Sequence, residues 1–153
     1  VELMKENLER TKRINMEAVK QDATVFDENS VNKADILLAD LPCSGLGVMG
    51  RKPDIRYKMT EARQQELVKI LDTVWSYVKV GGTLVYSTCT IGADENQYNV
   101  KWFLENYPFQ LDSIDPYICE ELRSKTTKAG YLQLLPGVHS SDGFFIARLK
   151  RIR

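Results

Sequence analysis

An α/β fold built on a mostly parallel sheet is what this sequence predicts, and three features predict it. Short apolar runs alternate with amphipathic segments in the order strand, helix, strand, helix, strand. Two of those runs, Ala34 to Ala39 and Thr83 to Ser87, scarcely alternate between apolar and polar residues, which is the pattern of strands covered on both faces. Polar groups capable of chemistry follow the runs directly: Asp22 after the first, Asp40 with Cys43 after the second, Cys89 after the third. In an open α/β sheet, ligands sit beyond the carboxyl ends of the strands, so three stretches converge on one rim.

Taken in order, residues 2 to 13 read as an amphipathic helix with Leu3, Met4 and Leu8 as its apolar contacts. The chain opens at Val1 without a cap or a leading strand, and is expected to be part of something longer. Ala18 to Lys20 is a short strand candidate ending at Asp22. Ala34 to Ala39 is the next strand, and residues 41 to 59, rich in Gly and Pro, form a loop. A helix follows from about Thr60, with Leu67, Leu71, Val74, Trp75 and Val78 on one face and Gly81-Gly82 as its stop. Thr83 to Ser87 is a strand, with Thr88-Cys89-Thr90 at its carboxyl end. Asp94 to Tyr107 is helical, with Val100, Phe103 and Leu104 facing inward and Pro108 closing it. Phe109 to Ile114 is a strand and residues 115 to 129 are polar and irregular. Tyr131 to Leu135 and Phe144 to Leu149 form a terminal strand pair before the basic tail Lys150-Arg-Ile-Arg153.

A chain of 153 residues suffices for one domain and is short for two. The composition, 43% hydrophobic and 27% charged, is that of a globular protein, with no apolar run long enough to cross a bilayer. A cytoplasmic location and no membrane partner are expected. Cys43, Cys89 and Cys119 are widely spaced, lack a Cys-x-x-Cys pair and share the chain with one histidine, His139. That pattern speaks against a disulfide scaffold and against a zinc site, and for reduced thiols. The formal net charge of 0 weakens a nucleic-acid reading, but its distribution is uneven. Arg51, Lys52, Arg56, Lys58 and Arg63 cluster against two acids, whereas residues 94 to 121 hold seven acids against Lys101. Ordinary solvated faces would account for this equally well.

A cysteine at a strand end, near hydroxyls and backbone N–H groups, can serve as a nucleophile, although a lone one is more often structural. Two on consecutive strand ends suit a specific chemistry. One sulfur adds to carbon 6 of a pyrimidine, making carbon 5 electron-rich enough to accept a methyl group, and the second assists loss of the carbon 5 proton and release. Asp40 would accept from the exocyclic amine of the base or meet its ring nitrogen. Pro42 stiffens the backbone between Asp40 and Cys43.

Five segments make this specific. Asp40-Leu-Pro-Cys43-Ser-Gly-Leu-Gly47, Arg51-Lys-Pro-Asp-Ile-Arg-Tyr57, Gly81-Gly-Thr-Leu-Val-Tyr-Ser-Thr-Cys89-Thr90 and Glu95-Asn96 occur in that order, followed by Leu135-Pro-Gly with Asp142-Gly-Phe-Phe-Ile-Ala. In order and spacing, over essentially the whole chain, they resemble the bacterial Sun (Fmu) family of ribosomal RNA cytosine-5 methyltransferases. The resemblance implies a Rossmann-like fold dependent on S-adenosylmethionine, with sheet order 3-2-1-4-5-7-6 and strand 7 antiparallel. It implies Cys89 as nucleophile and Cys43 as the residue that aids release. It places Asp22 near the adenine or ribose of the cofactor and Asp40 between cofactor and target base. A turn carboxylate is the other reading of Asp22. Ribosomal RNA is the implied partner, with Arg51, Lys52, Arg56 and Tyr57 holding an unpaired or flipped cytosine by phosphate contact and stacking. A solvated loop, with Tyr57 against the core, is the alternative for that stretch. Glu95 and Asn96 suit either a site or the first turn of a helix.

The family's glycine-rich loop and its second-strand acid do not occur in this sequence, so residues 1–153 are expected to be a partial catalytic domain missing its first two strands. Such a piece is expected to bind the methyl donor poorly, to be inactive alone, and to self-associate through an open sheet edge. Three rivals remain. DNA cytosine methylation uses the Pro-Cys residue as nucleophile and does not explain Cys89. Amino-group methylation needs no covalent cysteine. A non-catalytic RNA-binding or assembly module needs neither.

Overall fold

The computed structural model describes the backbone of residues 1–50 and 61–153. Five strands, β1 (Ala34–Asp40), β2 (Val78–Thr88), β3 (Phe109–Leu111), β4 (Tyr131–Leu134) and β5 (Phe144–Arg151), form one sheet. β1 and β2 are parallel, with Leu37 opposite Leu84 and Asp40 opposite Ser87. β5 runs antiparallel to β2 on one side, and on its other side to both β3 and β4, which share its length end to end. Only β5 is therefore reversed. The order is the 4-5-7-6 half of the expected sheet, and the fold is the Rossmann-like fold of S-adenosylmethionine-dependent methyltransferases.

Alternation sets the two faces. Ala39 on β1, Leu84 and Tyr86 on β2, and Phe145, Ala147 and Leu149 on β5 point to one side, all buried. Two helices close over them: α2 (Glu61–Val74) through Leu71, and α3 (Gln97–Asn106) through Val100 and Phe103. Phe103, Tyr107 and Phe109 stack in a cluster that ends α3 and starts β3, with ring centroids 4.8 Å apart for the first pair and 5.1 Å for Phe103 and Phe109. Arg151 locks the far end, donating to the Ser76 and Val78 carbonyls while lying over the Trp75 ring.

Several expectations need correction. Ala18 to Lys20 does not form a strand; it is irregular, with Ala18 half-buried and Val19 and Lys20 exposed, because among the described residues no neighbouring strand lies beside it to complete a ladder. The first helix, α1 (Glu2–Arg10), forms but buries nothing, with Leu3 and Met4 exposed. β1 is covered on one face only: Ile36 and Leu38 are 67% and 74% exposed. α2 stops at Val74, well before the glycines. Val78 already pairs with Ala34, and Gly81-Gly82 lie inside β2, where the register slips between Ala34 and Ile36. Gly81 takes φ +80°, so the pair of glycines makes a bulge in the strand. The helix expected from Asp94 begins at Gln97, and the strand expected to reach Ile114 ends at Leu111.

On the open face Ile36, Val85, Ile114, Tyr117, Ile146 and Arg148 are among the residues lining a groove of about 310 Å³. Among the described residues, no helix is long and apolar enough to cross a membrane.

Candidate active site at the ends of β1 and β2

Parallel neighbours end on the same rim, and here they end in register. Asp40 is opposite Ser87, and the Leu41 N–H donates to the Ser87 carbonyl at 3.2 Å. Three residues beyond Asp40 and two beyond Ser87, the chains deliver Cys43 and Cys89, whose Sγ atoms lie 3.3 Å apart. The Cys89 N–H donates to Cys43 Sγ at 3.2 Å, and the Gly47 N–H to the Cys89 carbonyl at 3.0 Å. Cys43 is buried and Cys89 half-buried. Burial, followed by the neighbouring Cys89 sulfur, pushes the Cys43 thiol up to about 12, while backbone N–H groups of Gly45 and Cys89 pull the other way. Cys43 therefore holds its proton at neutral pH and can donate it to Cys89.

Beneath the sulfurs lies a buried polar network. The Ser44 N–H donates to Glu95 Oε1 at 2.7 Å and its hydroxyl to Oε2 at 2.5 Å. Ser44 Oγ and Thr90 Oγ1 are 2.7 Å apart, and Thr90 Oγ1 accepts from the Gly92 N–H at 3.1 Å. Asn96, fully buried, accepts from the Thr88 hydroxyl at 2.6 Å and donates to the Thr90 carbonyl at 3.0 Å and to Gln133 Oε1 at 2.7 Å. The residues on either side of Cys89 are thus held from α3's start and from β4. Neither Glu95 nor Asn96 is merely a first-turn residue. Ser44 lies inside the Asp40 to Gly47 segment and Glu95 and Asn96 form a segment of their own, whereas Gln133 carried no such signal.

Asp40 is exposed at the rim and accepts from the Ser87 hydroxyl at 2.8 Å. Asp22 stands apart from this cluster in an exposed turn, where Oδ1 accepts from the Thr24 N–H at 2.9 Å and from its hydroxyl at 2.8 Å. Those bonds hold the Asp22 carboxyl below the usual carboxylate range. The structure brings Asp40, Cys43 and Cys89 together and leaves Asp22 closing its own turn. Arg51, Lys52, Arg56 and Tyr57 lie outside the described residues.

A sheet of this order with two cysteines at adjacent strand ends has the architecture of the Rossmann-like methyltransferase fold. The chain belongs to the family described as 16S rRNA methyltransferase RsmB/F, which matches residues 1–150. Over 99% of its length it is 32% identical to the ribosomal RNA small subunit methyltransferase F of Cronobacter sakazakii and 38% identical to the probable ribosomal RNA small subunit methyltransferase B of Bacillus subtilis. It covers 32% and 35% of those two proteins, so the chain spans about a third of the length of the curated relatives it matches. Among solved structures it is similar to NSun6 from Pyrococcus horikoshii, determined with SFG, at TM-score 0.80 and 30% identity over 98% of this chain and 38% of that one. It also matches a methyltransferase homolog protein from the same organism at TM-score 0.75 and 29% identity, over 98% of this chain and 49% of that one.

Proposed function

We propose that the protein carrying this chain methylates carbon 5 of a cytosine in ribosomal RNA, in the cytoplasm, through a covalent adduct on Cys89. The observation that carries this reading is the pair of sulfurs at 3.3 Å on the ends of two adjacent parallel strands, with the Asp40 carboxylate on the same rim.

Cys89 is the better attacker because Cys43 keeps its proton. After the Cys89 proton has left to solvent, its Sγ electron pair adds to carbon 6 and the carbon 5–carbon 6 π pair moves to carbon 5. Asp40 accepts from the cytosine amine and orients the ring. S-adenosylmethionine, when bound, supplies the methyl group as an electrophilic carbon on a positively charged sulfur. Asp40, at the mouth of the site, fits a contact to that cofactor. Asp22, with an oxygen already committed to Thr24, fits as an acceptor only through its remaining oxygen.

For release, the covalent state changes Cys43. The Cys89 sulfur, once bonded to carbon, no longer carries the charge that helps hold the Cys43 proton. Burial, the larger cause, remains, so the Cys43 proton leaves to solvent only as its Sγ takes the proton from carbon 5. The carbon–hydrogen pair re-forms the carbon 5–carbon 6 double bond, and the carbon 6–sulfur pair returns to Cys89. Arg51, Lys52, Arg56 and Tyr57 supply phosphate contacts and a stacking face for the RNA. The edge of β1 that no strand pairs among the described residues supplies a surface for self-association.

The test is a denaturing-gel assay with the full-length protein, S-adenosylmethionine and a 16S ribosomal RNA transcript containing 5-fluorocytosine, in which release is blocked because fluorine cannot leave as a cation. A covalent complex is expected with the wild type and with Cys43→Ser, and none with Cys89→Ser. RNA binding without any covalent complex would sink the enzyme reading and leave a binding module. A complex that depends on Cys43 instead would reverse the two roles.

A further inference from the structure

We infer that Glu95 is a positioning residue that serves Cys43 rather than Cys89, so that it acts in adduct release and not in attack; this rests on the reading above. Its carboxylate sits 6% exposed behind the sulfurs and takes both donors of Ser44, the residue next to Cys43. The hydroxyl directions follow from the acid. Since the Ser44 O–H is given to Oε2, its oxygen must accept from the Thr90 O–H, and Thr90 Oγ1 in turn accepts from the Gly92 N–H. A single one-way chain therefore runs from Gly92 through Thr90 and Ser44 to Glu95, joining the turn after Cys89 to the loop of Cys43.

The base of the clamp is fixed independently. The Tyr86 hydroxyl, from the buried middle of β2, donates to the Glu95 carbonyl and accepts from Asn99 Nδ2 at 3.0 Å. Glu95 is thus tied to the sheet and to α3 before its side chain engages anything. The two cysteines then depend on it unequally. Cys89 sits between Thr88 and Thr90, both gripped by Asn96, and its carbonyl is held by Gly47. The Cys43 loop, between Leu41 and Gly47, meets the Ser87 to Cys89 segment through Leu41, Cys43 and Gly47, and its tie to the start of α3 runs through Ser44 to Glu95. Removing the carboxylate takes the α3 tie from the residue next to Cys43 and leaves the grip of Asn96 on Thr88 and Thr90 in place.

Glutamine is the sharp substitution because it is isosteric yet offers one acceptor and one donor group where Ser44 presents two donors. One Ser44 donor is left facing an amide N–H, and a buried donor without a partner pushes the loop away.

The experiment compares wild type, Glu95→Gln, Ser44→Ala and Cys43→Ser in the full-length protein, with two RNAs. On the 5-fluorocytosine transcript, Glu95→Gln is expected to form its covalent complex within about threefold of the wild-type rate. On the unmodified 16S transcript its turnover is expected to fall at least tenfold, with covalent protein–RNA complex accumulating as in Cys43→Ser. Glu95→Gln combined with Cys43→Ser should be no slower than Cys43→Ser alone. Ser44→Ala, which keeps the backbone N–H, should show the same pattern to a smaller degree, and it decides the matter should Glu95→Gln fail to fold. Equal loss of trapping and turnover, or unchanged turnover, overturns the assignment. Absence of any Cys89-dependent complex in the wild type overturns the underlying reading instead.

Discussion

Gly47 and Gly143 lie backbone against backbone, the Gly143 N–H donating to the Gly47 carbonyl at 2.8 Å. A Cβ on Gly47 would stand 2.1 Å from the Gly143 oxygen, and one on Gly143 would stand 2.6 Å from both Gly47 Cα and Ile91 Cγ2. This seam ties the loop after Cys43 to the start of β5, and through the Cys89 carbonyl to the second cysteine. Gly47→Ala and Gly143→Ala are each expected to cost about 1–3 kcal/mol, the usual range for overpacking, read from urea unfolding. Gly50→Ala, with nothing within 4 Å of its added carbon among the described residues, is the control and should leave the unfolding midpoint in place. Equal midpoints for all three would show that the seam can open without cost.

The Cys43 thiol gives stability a pH signature. Its ordinary value is 9.0 and the folded one about 12, so the folded chain holds this proton more tightly than the unfolded chain. The contribution is constant below about pH 9 and is lost as pH rises toward 12. Wild type should therefore lose unfolding free energy between pH 9 and 11 more steeply than Cys43→Ser. Tyr86, whose phenol burial also pushes up, is present in both proteins, and only the smaller part of its shift that comes from the Cys43 charge enters the difference, with the same sign. Parallel slopes would mean that the fold does not hold the Cys43 proton.

Asn96 reads two acceptors and one donor, so its amide cannot be replaced by a carboxylate. In Asn96→Asp the acid would face the Thr90 carbonyl and Gln133 Oε1 without the N–H groups that now satisfy them. Each lost buried bond is worth about 1–3 kcal/mol, and the loss should be partly recovered as pH falls, because a protonated carboxyl can donate again. The folded-state value of the new acid is raised, so the recovered stability appears below that value and vanishes above it. Thermal unfolding at pH 5 and pH 8 checks this. A variant as stable as wild type at pH 8 would remove Asn96 from the support of Cys89.

What the sequence disclosed depends on how local the deciding interactions are. β1, β2, α2, α3 and β5 carry their own periodicity, and Cys43 and Cys89 were placed together because consecutive parallel strands end on one rim. Ala18 to Lys20 has no such autonomy, since a three-residue run is a strand only if a neighbour makes it one. Gly81-Gly82 read as a helix stop because glycine breaks both helix and ladder, and only the pairing of Val78 with Ala34 shows that a bulge is meant. Gln133 was illegible for a different reason. Gln133 meets Asn96 across 37 positions, and nothing near it in sequence announces that contact. The exposed face of β1 was misread because an apolar run tells how much surface wants cover and not which element provides it.

β1 pairs with β2 on one side and, among the described residues, with no strand on the other, while Ile36, Leu38 and Val80 stand 67%, 74% and 61% exposed. An open strand edge beside an apolar face is a template for pairing with a second copy. The chain should accordingly show a sedimentation coefficient that rises with concentration. Ile36→Lys with Leu38→Lys should abolish that rise, because two ammonium groups on a pairing surface lose hydration without gaining partners. Both side chains already face outward, so the unfolding midpoint of the double variant should stay close to that of the wild type. A wild type that sediments as a monomer at every concentration would show that twist, or the Lys79 to Asp35 ion pair at the strand's start, suffices to protect the edge.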